Sequence, residues 1–159
     1  MVRTMSVNRL SRYERIYQQL EKLIVGKSPT LDAAMATICA VLHAKMPHHS
    51  WTGFYYVASD DELHVGPYQG PLACQILKGS GVCLDAVRTN IPVVVRDVRE
   101  YPGHIACDPR SRSEIVIPLM TDDSPVAVLD IDSDKVRQFS GEDIEPLERI
   151  VRLLEPLIP

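Results

Sequence analysis

Three of the four cysteines lie in segments whose composition suits loops rather than a core. Cys74, Cys83 and Cys107 are flanked by glycine, proline and polar residues, whereas Cys39 lies one helical turn from Met35. Cys39 is therefore expected to be a small buried apolar residue. Thiol redox chemistry needs an attacking sulfur and a second sulfur that closes a disulfide on it after oxidation. The three loop cysteines supply both parts.

A zinc site is an alternative use of the same cysteines, with His104 as the fourth ligand. Two residues separate His104 from Cys107, which is a plausible spacing for two ligands of a tetrahedral metal. Eight residues separate Cys74 from Cys83, unlike the short intervals that bring two thiolates onto one zinc ion. The spacing favours redox chemistry, and we predict neither a resident metal nor another cofactor.

A group of acidic residues is predicted close to Cys107. Side chains alternate along a strand, so Asp130 and Asp132 share one face of the segment VLDID. A turn at residues 122–123 would bring Glu114, on the partner strand, opposite this end of the hairpin. Three crowded carboxylates are unfavourable unless a cation or shared protons compensate them. The alternative is a solvated sheet end that merely carries acids.

A sulfoxide substrate would reconcile a thiol with neighbouring carboxylates. Negative charge raises a thiol pKa and disfavours the thiolate. Attack on a sulfoxide sulfur, however, requires the sulfoxide oxygen to be protonated or strongly hydrogen-bonded. A carboxyl group held protonated by its neighbours could supply that proton. The remaining carboxylates could then neutralise the α-ammonium group of a free amino acid.

The elements that must position these residues follow from hydrophobic periodicity. Apolar residues at three- and four-residue spacing predict helices over residues 8–25 and 32–46 and a last helix from about Ser140. Alternating or continuous apolar runs predict strands over residues 51–57, 62–68, 93–95, 114–120 and 126–131. Between residues 70 and 90 we expect a loop that leads into a short helix. Helices at both ends of a hairpin-rich middle predict an α+β domain, with an antiparallel sheet carrying helices on one face and active-site loops on the other.

Composition limits the range of functions. The chain has 159 residues, with 17 Lys plus Arg against 21 Asp plus Glu, and the resulting net charge of -4 argues against nucleic acid as a partner. No stretch free of Asp, Glu, Lys and Arg reaches the roughly 20 residues needed to span a bilayer. Without an apolar signal segment near its N-terminus the chain is expected in the cytoplasm.

Five segments, taken in order, resemble those of the free methionine-(R)-sulfoxide reductases, which are GAF-domain enzymes. They are GPYQGPLAC, GVC, PGHIACD, RSEIVIPL and VLDIDS, and the resemblance runs from about Trp51 to about Phe139. It implies a single GAF domain over residues 1–159, reduction of the R epimer of free methionine sulfoxide, and a homodimer. The alternative is a non-catalytic GAF module that binds a small ligand or senses redox state, because fold alone does not fix function.

The resemblance also implies a role for each candidate residue. Cys107 would attack the sulfoxide, and Cys83 or Cys74 would resolve it as a disulfide that thioredoxin, an external reductant, reduces. The residues implied to bind the substrate or to polarise its S=O group are Glu114, Asp130, Asp132 and, through ring packing on the substrate methyl, Trp51.

Overall fold

The structure is a computed structural model that describes residues 2–104 and 107–159, with side chains from residue 7 onward. Within these ranges there are four α-helices: α1 (Val2–Ile24), α2 (Leu31–Lys45), α3 (Val82–Thr89) and α4 (Ile144–Arg152). The described residues also form six strands: β1 (Trp51–Ser59), β2 (Glu62–Gln69), β3 (Ile76–Lys78), β4 (Val93–Val95), β5 (Ser113–Met120) and β6 (Pro125–Ser133).

The strands form one sheet in the order β3-β2-β1-β6-β5-β4. Every pair of neighbours is antiparallel, and β1 and β6 lie at the centre. The β1–β2 and β5–β6 hairpins have short polar turns, as the sequence predicts. The structure thus has the expected α+β architecture with a central antiparallel sheet.

Local sequence signals explain where the helices begin and end. Gly26 adopts a positive φ of 70° just after α1, a backbone conformation that glycine tolerates without strain. The Thr30 side chain caps α2 by accepting a hydrogen bond from the Ala33 amide. Ser140 and Asp143 form the predicted capping box, at a 3-10 turn that leads into α4. Pro146 is accommodated because first-turn amides have no partner within the helix.

The two faces of the sheet carry separate cores. Phe54, Ile115 and Ile131 pack against α1, α2 and α4 on one face. Tyr55, Val116 and Val128 pack against α3 and the neighbouring loops on the other. This division follows from the alternation of side chains along each strand. The N- and C-terminal helices α1, α2 and α4 therefore cover one face, as predicted, and the candidate site lies on the other face with α3.

Three details depart from the sequence interpretation or lie outside the structure. Helix α1 begins at Val2 rather than Asn8, and β3 was not predicted within the segment assigned to a loop. The segment PGHIACD includes Ile105 and Ala106, which lie outside the described residues. No helix in the described part of the chain is long and apolar enough to cross a membrane.

Candidate active site

The three acidic residues occupy neighbouring positions at the end of the central hairpin. Glu114 on β5 pairs with Asp132 on β6, and Asp130 lies two residues along on the same face. Glu114 and Asp130 are 4% and 6% exposed, so both carboxyl groups are almost removed from water. The sequence prediction that these acids crowd together is therefore met by the register of the strands.

The thiol of Cys83 lies within this acidic group. Helix α3 begins immediately after Gly81 and places the buried Cys83 in its first turn, against β5. The Cys83 Sγ donates a hydrogen bond to Glu114 Oε1 over 3.8 Å. One potential ligand atom each from Cys83, Glu114 and Asp130 lies within 4.8 Å of the other two. Sequence reasoning did not place this thiol against the carboxylates.

Burial controls the protonation of the group. Desolvation raises the pKa of Glu114 well above its usual value, and the charges of Asp130 and Asp132 raise it further. Burial also raises the pKa of Asp130 and, with the charge of Asp130, that of Asp132. The Cys83 thiol has a pKa well above its usual value because it is desolvated and surrounded by the same acids. Burial thus favours the protonated forms of all four groups.

Two further polar side chains contact the acids from the loop before β5. The Ser111 hydroxyl donates a hydrogen bond to Asp132 Oδ1 over 2.9 Å, and this bond acts to lower the pKa of Asp132. His104 Nδ1 lies 3.8 Å from Glu114 Oε2. Burial lowers the pKa of His104, which favours the neutral imidazole. The sequence alone contained no signal for the Ser111 contact, because it depends on how the loop packs.

Cys74 and Cys107 are joined by a disulfide bond. Their Cα atoms are 5.5 Å apart, within the range that an unstrained bridge requires. The Tyr55 hydroxyl donates a hydrogen bond to the Cys74 carbonyl over 3.1 Å and anchors this segment to the sheet. Of the two candidate partners for Cys107, the structure therefore bonds Cys74 and leaves Cys83 a free thiol.

An aromatic wall stands beside the acids. Trp51 stacks with Tyr55 and Tyr68, with ring centroids 5.8 Å and 5.3 Å away, and its indole N–H donates a hydrogen bond to the Pro71 carbonyl over 3.1 Å. Gly53 lies beneath the indole, where a Cβ atom would collide with the Trp51 ring. The missing side chain allows the ring to lie along β1.

These features enclose one cavity of about 650 Å³, counting its open mouth. All the predicted site residues line it except Cys74, which is bonded to one of them; the lining members are Trp51, Cys83, Cys107, Glu114, Asp130 and Asp132. The zinc set considered from the sequence is not assembled here, because two of its thiols are bonded to each other. The cavity combines a disulfide, three carboxyl groups and an aromatic ring, and can therefore bind a small amphipathic cation next to a redox sulfur.

The fold and this site define a GAF domain with thiol–disulfide chemistry, and the GAF domain family model matches residues 28–158. The free methionine-R-sulfoxide reductase of Escherichia coli K12 is 38% identical, covering 96% of this chain and 92% of that protein. The Saccharomyces cerevisiae reductase of the same name is 42% identical, with 85% and 83% covered. A solved structure of the Neisseria meningitidis free methionine-R-sulfoxide reductase in complex with its substrate has a TM-score of 0.85 and 40% identity, covering 91% of this chain and 86% of that one. The chain belongs to the free methionine-R-sulfoxide reductase family and is an oxidoreductase.

Proposed function

We propose that this protein reduces free L-methionine-(R)-sulfoxide to methionine, with Cys107 as the attacking sulfur. The observation that carries the proposal is the Cys74–Cys107 disulfide next to a cavity that also holds three acids. The identity of the substrate is inferred from the family to which the chain belongs. The residue roles rest on the geometry and electrostatics of the cavity.

Substrate binding uses the acids and the aromatic wall. Asp132 and Asp130 pair with the α-ammonium group of the substrate, because this positive charge favours their ionised forms, and the Ser111 hydroxyl further stabilises the Asp132 carboxylate. The Trp51 ring packs on the substrate methyl group. A methionine sulfoxide inside a peptide chain lacks the ammonium group, so the cavity selects the free amino acid.

The chemical step joins the Cys107 sulfur to the sulfoxide sulfur. The protonated Glu114 carboxyl donates a hydrogen bond and then a proton to the sulfoxide oxygen as the S–O bond weakens. The resulting hydroxyl then transfers to Cys107 as the new S–S bond breaks and the methionine sulfur keeps its electron pair, so Cys107 becomes a sulfenic acid and methionine leaves. Two electrons pass from the Cys107 sulfur to the substrate sulfur, so Cys107 is oxidised and the substrate is reduced.

Resolution involves Cys74 rather than Cys83. The Cys74 thiolate attacks the Cys107 sulfenic acid, water leaves, and the disulfide that the structure contains is formed. Thioredoxin then reduces this disulfide by thiol exchange and restores both thiols. The reaction consumes two thiols per sulfoxide and uses no prosthetic group. We further propose that the single domain over residues 1–159 works as a homodimer in the cytoplasm.

An assay with defined substrates tests the proposal. The purified protein with a thioredoxin system should turn over the R epimer of free methionine sulfoxide and leave the S epimer and an internal peptide sulfoxide essentially unchanged. Thioredoxin carrying serine in place of its own catalytic cysteines is the matched control for the reductant. Comparable rates on free and peptide sulfoxide would overturn the assignment.

A further inference from the structure

The buried thiol of Cys83 has no part in the reaction proposed above, yet it lies among carboxylates. Its sulfur and one oxygen each from Glu114 and Asp130 lie within 4.8 Å of one another. All three residues are buried, so this is not a solvated acidic patch. Three ligand atoms at such distances need only small side-chain rotations to contact one ion, since zinc bonds to sulfur and oxygen are about 2.0–2.3 Å long.

A second observation independently indicates a missing partner for this group. Asp130 Oδ1 is buried and has no hydrogen-bond partner among the described residues. Unpaired buried oxygens are costly and usually indicate a ligand, an ion or a bound water. Asp130 lines the same cavity as Cys83 and Glu114, so an ion has a path from solvent to this oxygen.

We propose that the protein binds one Zn²⁺ ion at Cys83 Sγ, Glu114 and Asp130. The donor set selects the metal, because one thiolate with carboxylates suits zinc, whereas calcium and magnesium prefer oxygen alone. His104, whose Nδ1 lies 3.8 Å from Glu114 Oε2, offers a nitrogen donor beside the group. A dication replaces the protons that these groups share, so binding releases protons and tightens as pH rises.

Zinc at this position regulates the proposed reductase, and this part of the inference rests on the proposed function. The ion would be coordinated by Glu114, which is proposed to polarise the sulfoxide, and by Asp130, which is proposed to bind the ammonium group. Zinc and free methionine sulfoxide should therefore compete for the cavity. Because Cys83 is outside the disulfide, the site persists when Cys74 and Cys107 are oxidised. A set built from Cys74, Cys83, Cys107 and His104 would require reduction first.

Cobalt(II) alone tests the site without any measurement of activity. Titration of the disulfide form with Co²⁺ should produce a thiolate-to-cobalt charge-transfer band that saturates at one equivalent, and Zn²⁺ should displace it. Cys83→Ser should abolish the band, whereas Cys39→Ser, which alters a thiol in the opposite core, should leave it unchanged. Absence of the band from the parent protein, or its persistence in Cys83→Ser, would overturn the site.

Two further measurements keep the test independent of folding defects and of the proposed function. Glu114→Gln and Asp130→Asn keep the Cys83 thiol and should weaken Co²⁺ binding at least about tenfold, because loss of even an outer-sphere partner costs about 10- to 100-fold. In the reductase assay, Zn²⁺ at about ten times its dissociation constant should raise the apparent KM about tenfold by competition. Cobalt binding without reductase activity would refute the proposed function alone, whereas metal-insensitive reduction without a cobalt band would refute the metal site alone.

Discussion

Cys83 and Cys107 line the same cavity but differ in bonding, because Cys107 is joined to Cys74 and Cys83 is a free thiol. Burial and three neighbouring acids raise the pKa of Cys83 well above its usual value, which suppresses its thiolate. Only a thiolate attacks effectively, so Cys83 is a poor nucleophile. Cys107 lies on the loop before β5 and already forms a disulfide with Cys74. This difference supports Cys107, rather than Cys83, as the proposed attacking sulfur.

The cysteines should separate by role in single-turnover experiments. Cys107→Ser should form no methionine even once, because the attacking sulfur is absent. Cys74→Ser should release one methionine per site and then stall without its disulfide. Quantifying methionine after mixing each reduced variant with excess sulfoxide measures both outcomes.

Cys39→Ser serves as the matched control, since Cys39 lies in the core on the other face of the sheet. It should turn over at the parent rate, with only the stability loss of a polar change in a core. A Cys107→Ser protein that still yields stoichiometric methionine would contradict the assignment.

Ser111 offers a test of the charge on Asp132. Its hydroxyl stabilises the ionised carboxylate, so Ser111→Ala should raise the pKa of Asp132 further. At low pH, kcat/KM should fall because the carboxylate proposed to bind the ammonium group becomes protonated. In Ser111→Ala this fall should occur about one pH unit higher, because one hydrogen bond to a charged group contributes a free energy equivalent to about one pKa unit. The measurement is the pH profile of kcat/KM for free methionine sulfoxide.

Ser80→Ala is the control for this profile, because the Ser80 hydroxyl donates to the Gly103 carbonyl at the same cavity without contacting an acid. Its acidic limb should coincide with that of the parent. If kcat/KM fell at the same pH in Ser111→Ala and in the parent, Asp132 would not control substrate binding.

Strand pairing could be predicted from the sequence because its signals are local. The segments around Glu114 and Asp130 have strand character and a polar turn between them, and alternation then fixes which side chains share a face. The partner of Cys107 could not be chosen in this way. The loops that carry Cys74, Cys83 and Cys107 have no period, and their packing depends on contacts between distant parts of the chain.

Strand β1 provides room for the aromatic wall through Gly53. A Cβ at this position would collide with the Trp51 ring and with Tyr68 Cβ on β2. The ring would have to rotate away from the stack, since neither strand can move without breaking the sheet. The position of Trp51 in the cavity thus depends on the residue two places along the strand.

Gly53→Ala should displace Trp51 and lower kcat/KM by about 10- to 100-fold, the usual penalty for a small misplacement in a site. Overpacking should also cost about 1–3 kcal/mol of unfolding free energy. Trp51 is the sole tryptophan, so the change in intrinsic fluorescence on adding sulfoxide reports directly on this ring.

Gly141→Ala is the matched glycine control, because a Cβ there meets no atom within 4 Å. It should keep the parent kinetics and fluorescence response. Parent-like kcat/KM and fluorescence in Gly53→Ala would show that the ring position does not matter for binding.

The two faces of the molecule respond to pH in opposite directions. On the site face, raised carboxyl pKa values stabilise the fold at low pH, and this contribution is lost as pH rises. On the helix face, burial lowers the pKa of His48 to about 4 and that of His49 well below its usual value. Neither ring nitrogen of His49 has a hydrogen-bond partner in the described part of the chain. The folded protein therefore favours the neutral form of both histidines.

The histidines should weaken the fold as pH falls from about 6.5 towards 4, because the unfolded chain then binds protons that the native chain does not. Replacing His48 by Gln should reduce the loss of unfolding free energy between pH 7 and pH 5 by about 1–2 kcal/mol, given about 1.4 kcal/mol per pKa unit. Urea unfolding at both pH values measures the difference, and the carboxyl contribution cancels between the two proteins.

His64→Gln is the control, because His64 is exposed on β2 and paired with Glu62. Its loss of stability between the two pH values should equal that of the parent. If His48→Gln lost as much unfolding free energy as the parent between pH 7 and pH 5, His48 would not resist protonation in the native state.

The Cys74–Cys107 bridge closes a loop with a sequence separation of 33 residues, which contains β3, α3 and β4. The exposed Arg99 lies inside that loop, within a 3-10 turn at Val98–Glu100. A tryptic cut after Arg99 in the oxidised protein leaves two fragments that remain covalently joined, whereas the same cut in the reduced protein yields two separate chains. Electrophoresis of nicked protein without added reductant therefore counts the oxidised and reduced molecules in a sample directly.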